Sequence, residues 1–406
     1  MSIPGQTMGI SVFTEHLINS LGVTRIDLSM VYMLGTLSSA LMLPMAGKFL
    51  DRLGPRVIAA IACFFLAIFM IILANSPLLT QKLVQSTGLP HNTLALVLCF
   101  FGFLGVRHFG QGQLTMASRT MMGRWFNRRR GFVLGISGVF VAFGFGLAPL
   151  LLTNLISSFE WQGALYFLSF IAIGMALFAS IFFRSSPEEC GLIIDGGLRT
   201  NIGTPHFADI DDISFTSKEA MRTSAFWAFN MGMVSQALLF TAITFHMSDL
   251  AALKGLSNEK AFSLFLPVAI VSTTADLLGG YFSDKINIKY ILSVMQLGLT
   301  IGILSLLFFD SNIGFYSSAI GLGVSNGLFS LLMGAAWPKL FGRKFLGSIS
   351  GVNMAFTVAG SALGPYLFSV GKTATGNYSS AIILAAAFPL AVAVASLFVT
   401  PPKKNS

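Results

Sequence analysis

Gly47 to Arg56 reads GKFLDRLGPR, a short polar connector between two long apolar runs, and Gly279 to Lys289, GGYFSDKINIK, does the same half a chain later. Each copy sets a glycine four residues ahead of an aspartate, Gly47 before Asp51 and Gly280 before Asp284, with cations after it. A second pair of stretches agrees. RGFVLGISGVFVAF, from Arg130, and KFLGSISGVNMAF, from Lys344, share Ile136-Ser137-Gly138-Val139 and Ile349-Ser350-Gly351-Val352. The chain is therefore two related halves, and repeated halves in a membrane chain are a sequence-level mark of a transporter.

Composition identifies the solvent. Hydrophobic residues make up 54% and charged residues 10% of 406, and mean hydropathy is +0.77. A water-soluble domain so composed cannot cover its surface with polar groups. The 39 phenylalanines and 41 glycines suit bulky lipid-facing groups and close helix contacts.

A hydrocarbon core of about 30 Å needs about 20 apolar residues per helix. Twelve spans are expected: Ile3–Leu21, Leu28–Leu50, Arg56–Asn75, Thr93–Met122, Phe132–Leu155, Gly163–Phe183, Ala225–Leu250, Ala261–Phe282, Lys289–Phe309, Ile313–Ala336, Phe345–Val370 and Ser380–Val399. Six precede and six follow the long polar stretch Arg184 to Thr223, which carries Pro187, Glu188, Glu189, Asp209, Asp211 and Asp212 and reads as a linker. The expected organisation is an N-terminal six-helix bundle (1–183), a cytoplasmic linker (184–223) and a C-terminal six-helix bundle (224–406). The first span opens almost at Met1, with Pro4-Gly5-Gln6-Thr7 where a lead-in is expected; either the helix is minimal or the start given lies inside it.

Nineteen of the 25 cations fall on the side of the Asp51 loop, five (Arg25, Lys82, Lys254, Lys260, Lys372) on the other, and Arg107 within a span. Both termini are thereby expected in the cytoplasm, in a multi-pass protein of the inner membrane. The net charge of +9 follows from topology, and the scattered cations make no continuous stripe for nucleic acid. Cys63, Cys99 and Cys190 form no CxxC pair, so neither a disulfide nor a metal site is expected. There is no GxxxxGK[ST] loop and no Ser, His and Asp set for hydrolysis; no enzyme activity and no cofactor are expected.

This layout resembles the major facilitator superfamily, whose signature after the second span runs Gly, three residues, Asp, Arg, one or two residues, Gly, one residue, Arg or Lys. The match is specific at Gly47, Asp51, Arg52, Gly54 and Arg56; the second copy keeps Gly280, Asp284 and Lys285 but has Asn287 and Ile288 where the later glycine belongs. The resemblance implies an all-α fold of two pseudo-symmetric six-helix bundles and assigns Gly47, Asp51, Arg52, Arg56, Asp284 and Lys285 to a cytoplasmic gate. A carboxylate facing cations at a membrane boundary makes and breaks pairs as two bundles rock. Alternatively, Asp51 and Arg52 only orient the loop. RWFNRRRG (Arg124 to Gly131) and Asp276 look similar to the monocarboxylate and oxalate/formate carriers. Those often place an Arg four residues after the Asp; here that position is Gly280, so an anion reading rests elsewhere.

It rests on Arg107. Counted from Thr93, it lies about 14 residues, roughly 21 Å, into its helix. An uncompensated guanidinium at that depth costs about 3 kcal/mol or more, so it should face a cavity or a partner. Gln111, Thr115 and Ser118 continue the same α-helical face, with His108 about 100° round the helix. Three roles fit Arg107: binding a substrate anion, partnering a proton carrier, as the superfamily's fourth-span motif implies one residue out of register, or pairing with Glu15. Asn230, Gln236, Asn326 and Asn353, with Thr357 and Ser361, are intramembrane polar groups suited to a ligand or to interhelical hydrogen bonds. Glu15 and Asp276 are the carboxylates placed within spans; Asp276, about 12 Å from the Asp284 loop, is a proton-carrier candidate and equally a gate element. His16 and His246 fall near outer helix ends.

The function expected is a secondary active carrier, working as a monomer by alternating access, that imports a small organic anion with protons; its partners are substrate, protons and membrane lipid. The alternative is a proton-driven exporter of amphipathic compounds. Such exporters commonly carry Gly-Pro followed two residues later by Gly-Gly in the fifth span, where this chain has Ala148-Pro149 followed by Leu150, Leu151, Leu152 and Thr153. A sensor built on this fold would want a large soluble appendage, and no stretch of this sequence supplies one.

Overall fold

The computed structural model describes the chain except residues 1, 7, 8, 11, 197–213, 253, 376–377, 401 and 403–406. The α-helices in order are α1 (Thr14–Leu21), α2 (Arg25–Ala74), α3 (Ser76–Thr87), α4 (His91–Gly105), α5 (Leu114–Trp125), α6 (Arg130–Phe182), α7 (Ser217–Met221), α8 (Ser224–Ala252), α9 (Asn258–Ser263), α10 (Phe265–Ser283), α11 (Ile288–Ser305), α12 (Asn312–Phe341), α13 (Leu346–Thr375) and α14 (Tyr378–Leu397). A π-helical turn, Val106–Gln113, joins α4 to α5.

Nine helices among the described residues are long and apolar enough to cross a membrane, fewer than the twelve spans expected. The second and third expected spans share α2, which departs from helical geometry only at Gly54 (φ 79°, ψ 160°). Glycine takes that φ without a Cβ penalty, and the fixed φ of Pro55 suits the first position of the next helical stretch. The fifth and sixth expected spans share α6, which breaks at Glu160 (φ 59°, ψ 169°). The first expected span contains a turn, with Gln6 N–H donating to the Ile3 carbonyl at 3.1 Å, and the eight-residue α1; Pro4, Gly5 and Gly9 are all poor helix formers or breakers.

Two compact units are present. Unit 1 comprises Met1–Met121, Phe143–Gly191 and Ser350–Ala355; unit 2 comprises Met122–Ala142, Leu192–Ile349 and Phe356–Ser406. Leu17, Leu66, Met70, Phe103, Trp161 and Leu165 belong to the core of unit 1. Ile243, Leu264, Leu299, Phe309, Leu322 and Ile382 belong to that of unit 2. Outward faces are apolar too: Phe170 is 74% exposed, and the exposed Leu177, Phe178 and Phe182 share its helix. Patches of that kind need lipid rather than water.

In the expected linker the described residues form two 3₁₀ turns, Pro187–Cys190 and Ile194–Gly196, and α7, entered through a capping box between Thr216 and Glu219. Asp209, Asp211 and Asp212 lie outside the described residues.

Candidate functional site

Arg107 sits in the π-helical turn and is 5% exposed. A buried guanidinium needs polar partners. Its Nη1 donates to the Gly5 carbonyl at 3.1 Å, and its guanidinium lies 5.5 Å from the centroid of the Tyr32 ring on α2. Tyr32 is itself held edge-on by Phe103, centroids 5.4 Å apart. Gly5 reaches this position because it has no side chain: a Cβ there would lie 2.3 Å from the Gly110 carbonyl carbon. Ser2 Oγ donates to the Gly110 carbonyl at 3.0 Å, adding a second tie to the same turn.

The π winding corrects the expectation of one straight α-helical face through Arg107, Gln111, Thr115 and Ser118. An i→i+5 turn adds a residue to the helical repeat and rotates the residues beyond it. Arg107 and Thr115 are buried while Gln111 and Ser118 are half-buried. His108, 4% exposed, has its Nε2 3.0 Å from the Gln113 amide nitrogen.

Asp276 lies on α10 and is 4% exposed. Its carboxylate rests on Gly138 of α6, where a Cβ would come within 1.6 Å of Asp276 Oδ2. Glu15 lies in the first turn of α1 with its side chain exposed.

The neutral polar candidates are distributed over both units. Asn230 and Gln236 on α8 and Asn353 on α13 are buried. Gln236 Oε1 accepts from Ser325 Oγ of α12, and Asn326 Nδ2 donates to Ser272 Oγ of α10 at 3.1 Å. These two bonds tie helices of unit 2 together. Asn353 falls in unit 1, with Ser350–Ala355.

Among the gate candidates, Gly47 is buried, Asp51 half-buried and Arg52 exposed, all on α2. Arg56 donates through Nε to the Ser180 carbonyl at 3.0 Å, with Nη2 on the same oxygen. Asp284 accepts from the backbone N–H groups of Gly131 at 3.1 Å and Phe132 at 3.3 Å, and pairs with Lys339 Nζ at 3.1 Å. One carboxylate thus caps the start of α6, where orphan donors and the helix dipole favour an anion, and neutralises a cation of α12. Lys285 turns back onto Tyr281, its Nζ 3.9 Å from the ring centroid.

Lys339 is visible in the sequence only as one of several cations expected on the side of the Asp51 loop. Asp195 carries no sequence signal at all, yet its carboxylate accepts from the N–H groups of Asn127 and Arg128, both at 3.0 Å. Gly138 and Gly351 do carry a signal, the repeated Ile-Ser-Gly-Val run. His108 and Gln113 carry none as a pair under an α-helical reading, because residues five apart on such a helix stand about 140° apart.

The Major Facilitator Superfamily profile matches residues 1–365. No curated protein matches. Among solved structures, the human organic anion transporter MFSD10 (TETRAN) is similar at 15% identity over 94% of this chain and 88% of its own, TM-score 0.62. A variant of the E. coli fucose:proton symporter FucP is similar at 13% identity over 98% of each chain, TM-score 0.63. At such identities the likeness is one of fold.

Proposed function

The chain belongs to the Major Facilitator Superfamily, a family of transporters and not of enzymes, and we propose accordingly that it is a proton-coupled carrier importing a small organic anion such as a carboxylate. The observation that carries the reading is Arg107, a guanidinium 5% exposed on an interrupted helix, a position that in a membrane chain is a functional site by default. Its planar fork can donate two parallel hydrogen bonds to a carboxylate, which a lysine point charge does not reproduce. Gln111, Asn230, Gln236, Asn326 and Asn353 are the groups assigned to hydrogen bonding with substrate, Asp276 and Glu15 to proton coupling, and Gly47, Asp51, Arg52, Arg56, Asp284 and Lys285 to the cytoplasmic gate. The proposed frame is twelve helices in two six-helix bundles, monomeric, in the inner membrane with both termini cytoplasmic. Of the two similar structures, one is named an organic anion transporter and the other a proton symporter, names compatible with each half of this proposal.

The test is uptake of a labelled panel of formate, lactate, oxalate and gluconate into proteoliposomes under an inward proton gradient. Arg107→Lys is expected to weaken apparent affinity at least about tenfold, roughly 1.4 kcal/mol, and Arg107→Ala to leave almost no uptake. Affinity that tolerates alanine, or a cationic substrate, removes the anion reading.

A further inference from the structure

A proton carrier must be hydrogen-bonded in both of its charge states, because a buried polar group left without a partner in either one makes that state costly. His108 and Gln113 meet this requirement at the ring's Nε2 through the π turn. Five residues separate them, a spacing that an α-helix places about 140° apart and that an i→i+5 turn stacks on one side. The stacking brings Gln113 Nε2 to 3.0 Å from His108 Nε2. The ring is 4% exposed and set edge-on to Phe109, centroids 5.1 Å apart. The ring lies near the Ser39 backbone of α2, and its Nδ1 and Gln113 Oε1 are both buried without a hydrogen-bond partner.

We infer that His108 is a proton-binding group of the transport cycle and that Gln113 is the amide that serves both of its protonation states. The inference rests on the proton-coupled anion reading given above and names a group that reading does not contain. With the ring neutral, the Gln113 N–H donates to the Nε2 lone pair and the ring hydrogen is on Nδ1. A proton delivered as hydronium from the aqueous side then adds to Nε2 and leaves water behind. The Gln113 amide turns over so that Oε1 accepts from the new N–H, while the hydrogen on Nδ1 stays in place. Release to the other side reverses both moves, and no other atom changes hands.

The neighbouring charge supplies the coupling. Among the described residues, the charged and titratable groups placed at this turn are Arg107, beside His108 in the chain, and Tyr32 on α2, against the guanidinium. Ser39 of α2 and Ser2 and Gly5 of the N-terminal segment present neutral groups. Two adjacent cations in a low-dielectric setting repel. An anion bound at Arg107 removes that repulsion, so the ring takes its proton with the substrate and gives it up when the substrate leaves. Imidazole is the side chain whose ordinary titration range suits such exchange.

The experiment measures steady-state accumulation of ¹⁴C-lactate and ¹⁴C-oxalate at a one-unit pH gradient, with the membrane potential clamped, and gradient-free exchange of the same acids. The wild-type protein is compared with His108→Gln and Gln113→Met. Loss of one coupled proton lowers accumulation about tenfold per pH unit. His108→Gln is expected to show that loss while exchange stays within about threefold, and Gln113→Met to move the pH midpoint of accumulation by about half a unit or more. Wild-type accumulation by His108→Gln overturns the assignment. If His108→Gln shows neither accumulation nor exchange, the midpoint in Gln113→Met decides, and an unmoved midpoint overturns it. No gradient-driven accumulation of either acid by the wild-type protein overturns the carrier reading and this inference together, whereas wild-type coupling that His108→Gln retains overturns this inference alone.

Discussion

Gly138 and Gly351 hold the same place in the repeated Ile-Ser-Gly-Val run, and each is pressed against a helix that ends in or runs through a copy of the signature loop, but they meet different things. In unit 2 a Cβ on Gly138 would strike the Asp276 carboxylate, 1.6 Å from Oδ2; in unit 1 a Cβ on Gly351 would strike backbone, 2.5 Å from the Leu43 carbonyl oxygen. The partners are themselves equivalent. Leu43 stands eight residues before Asp51, as Asp276 stands eight before Asp284. One close helix crossing has thus been used twice, with an aliphatic residue at the contact in one copy and a buried carboxylate in the other. Packing alone explains the glycine in both copies, and it does not explain the carboxylate in one. That asymmetry is where a titratable role is to be sought.

The largest effect is expected from adding the missing Cβ on each side. Gly351→Ala drives a methyl group into backbone that has nowhere to go, so the helices must part. Overpacking of this kind costs about 1 to 3 kcal/mol, and a marked fall in Tm in detergent, with transport lost, is expected. Gly138→Ala meets the end of a side chain instead, which yields more readily than backbone. Its Tm is expected to fall less, and Gly138→Ala/Asp276→Ala is expected to recover most of the loss, a rescue with no counterpart in unit 1. Equal losses without rescue show that backbone, not the carboxylate, governs both contacts.

Making the two crossings chemically alike is expected to act next most strongly. Asp276→Asn keeps the shape at Gly138 but cannot titrate. If the carboxylate carries a coupled proton, accumulation driven by a one-unit pH gradient falls at least about tenfold while gradient-free exchange and Tm stay close to wild type. Full accumulation in this variant makes the second crossing as purely structural as the first.

Apolar length and the duplicated loop announce a multi-pass helical carrier in the residues themselves, and the eight-residue offset that aligns Leu43 with Asp276 is present for anyone overlaying the two loops. The breaks at Gly54 and Glu160 fall at expected connectors, but each is confined to a single non-helical residue, so α2 and α6 run on through them. The π turn is hidden. Helical periodicity presumes 3.6 residues per turn, and an extra residue in one turn leaves no mark in composition while it changes which side chains meet. Arg107 stands out by charge alone, whereas the pairing of His108 with Gln113 requires the winding. Asp195 escapes because a carboxylate bound to backbone N–H groups needs no particular residue opposite it.

The mildest change acts on the loops that succeed the two crossings. Asp284 accepts from two N–H groups at the start of α6 and pairs with Lys339. Asp284→Asn removes the charge but keeps an oxygen that can accept one of those bonds, so the loss is that of a weakened cap and one partly exposed ion pair. A cap contributes about 1 kcal/mol, and such a pair about 0 to 1 kcal/mol. Turnover is therefore expected to drop at most about five- to twenty-five-fold, since each kcal/mol is worth about fivefold, with apparent substrate affinity within a few fold. Lys339→Met isolates the ion pair and is expected to cost less than Asp284→Asn. Asp51→Asn supplies the counterpart in the first copy. If it slows turnover to the same degree at unchanged affinity, both loops act as gates; if only Asp284→Asn does so, the first loop orients the chain and the second carries the gate. Turnover by reconstituted Asp284→Asn indistinguishable from wild type removes the gate assignment from that loop, and leaves the capping contact as a matter of stability, readable as a lower Tm in detergent.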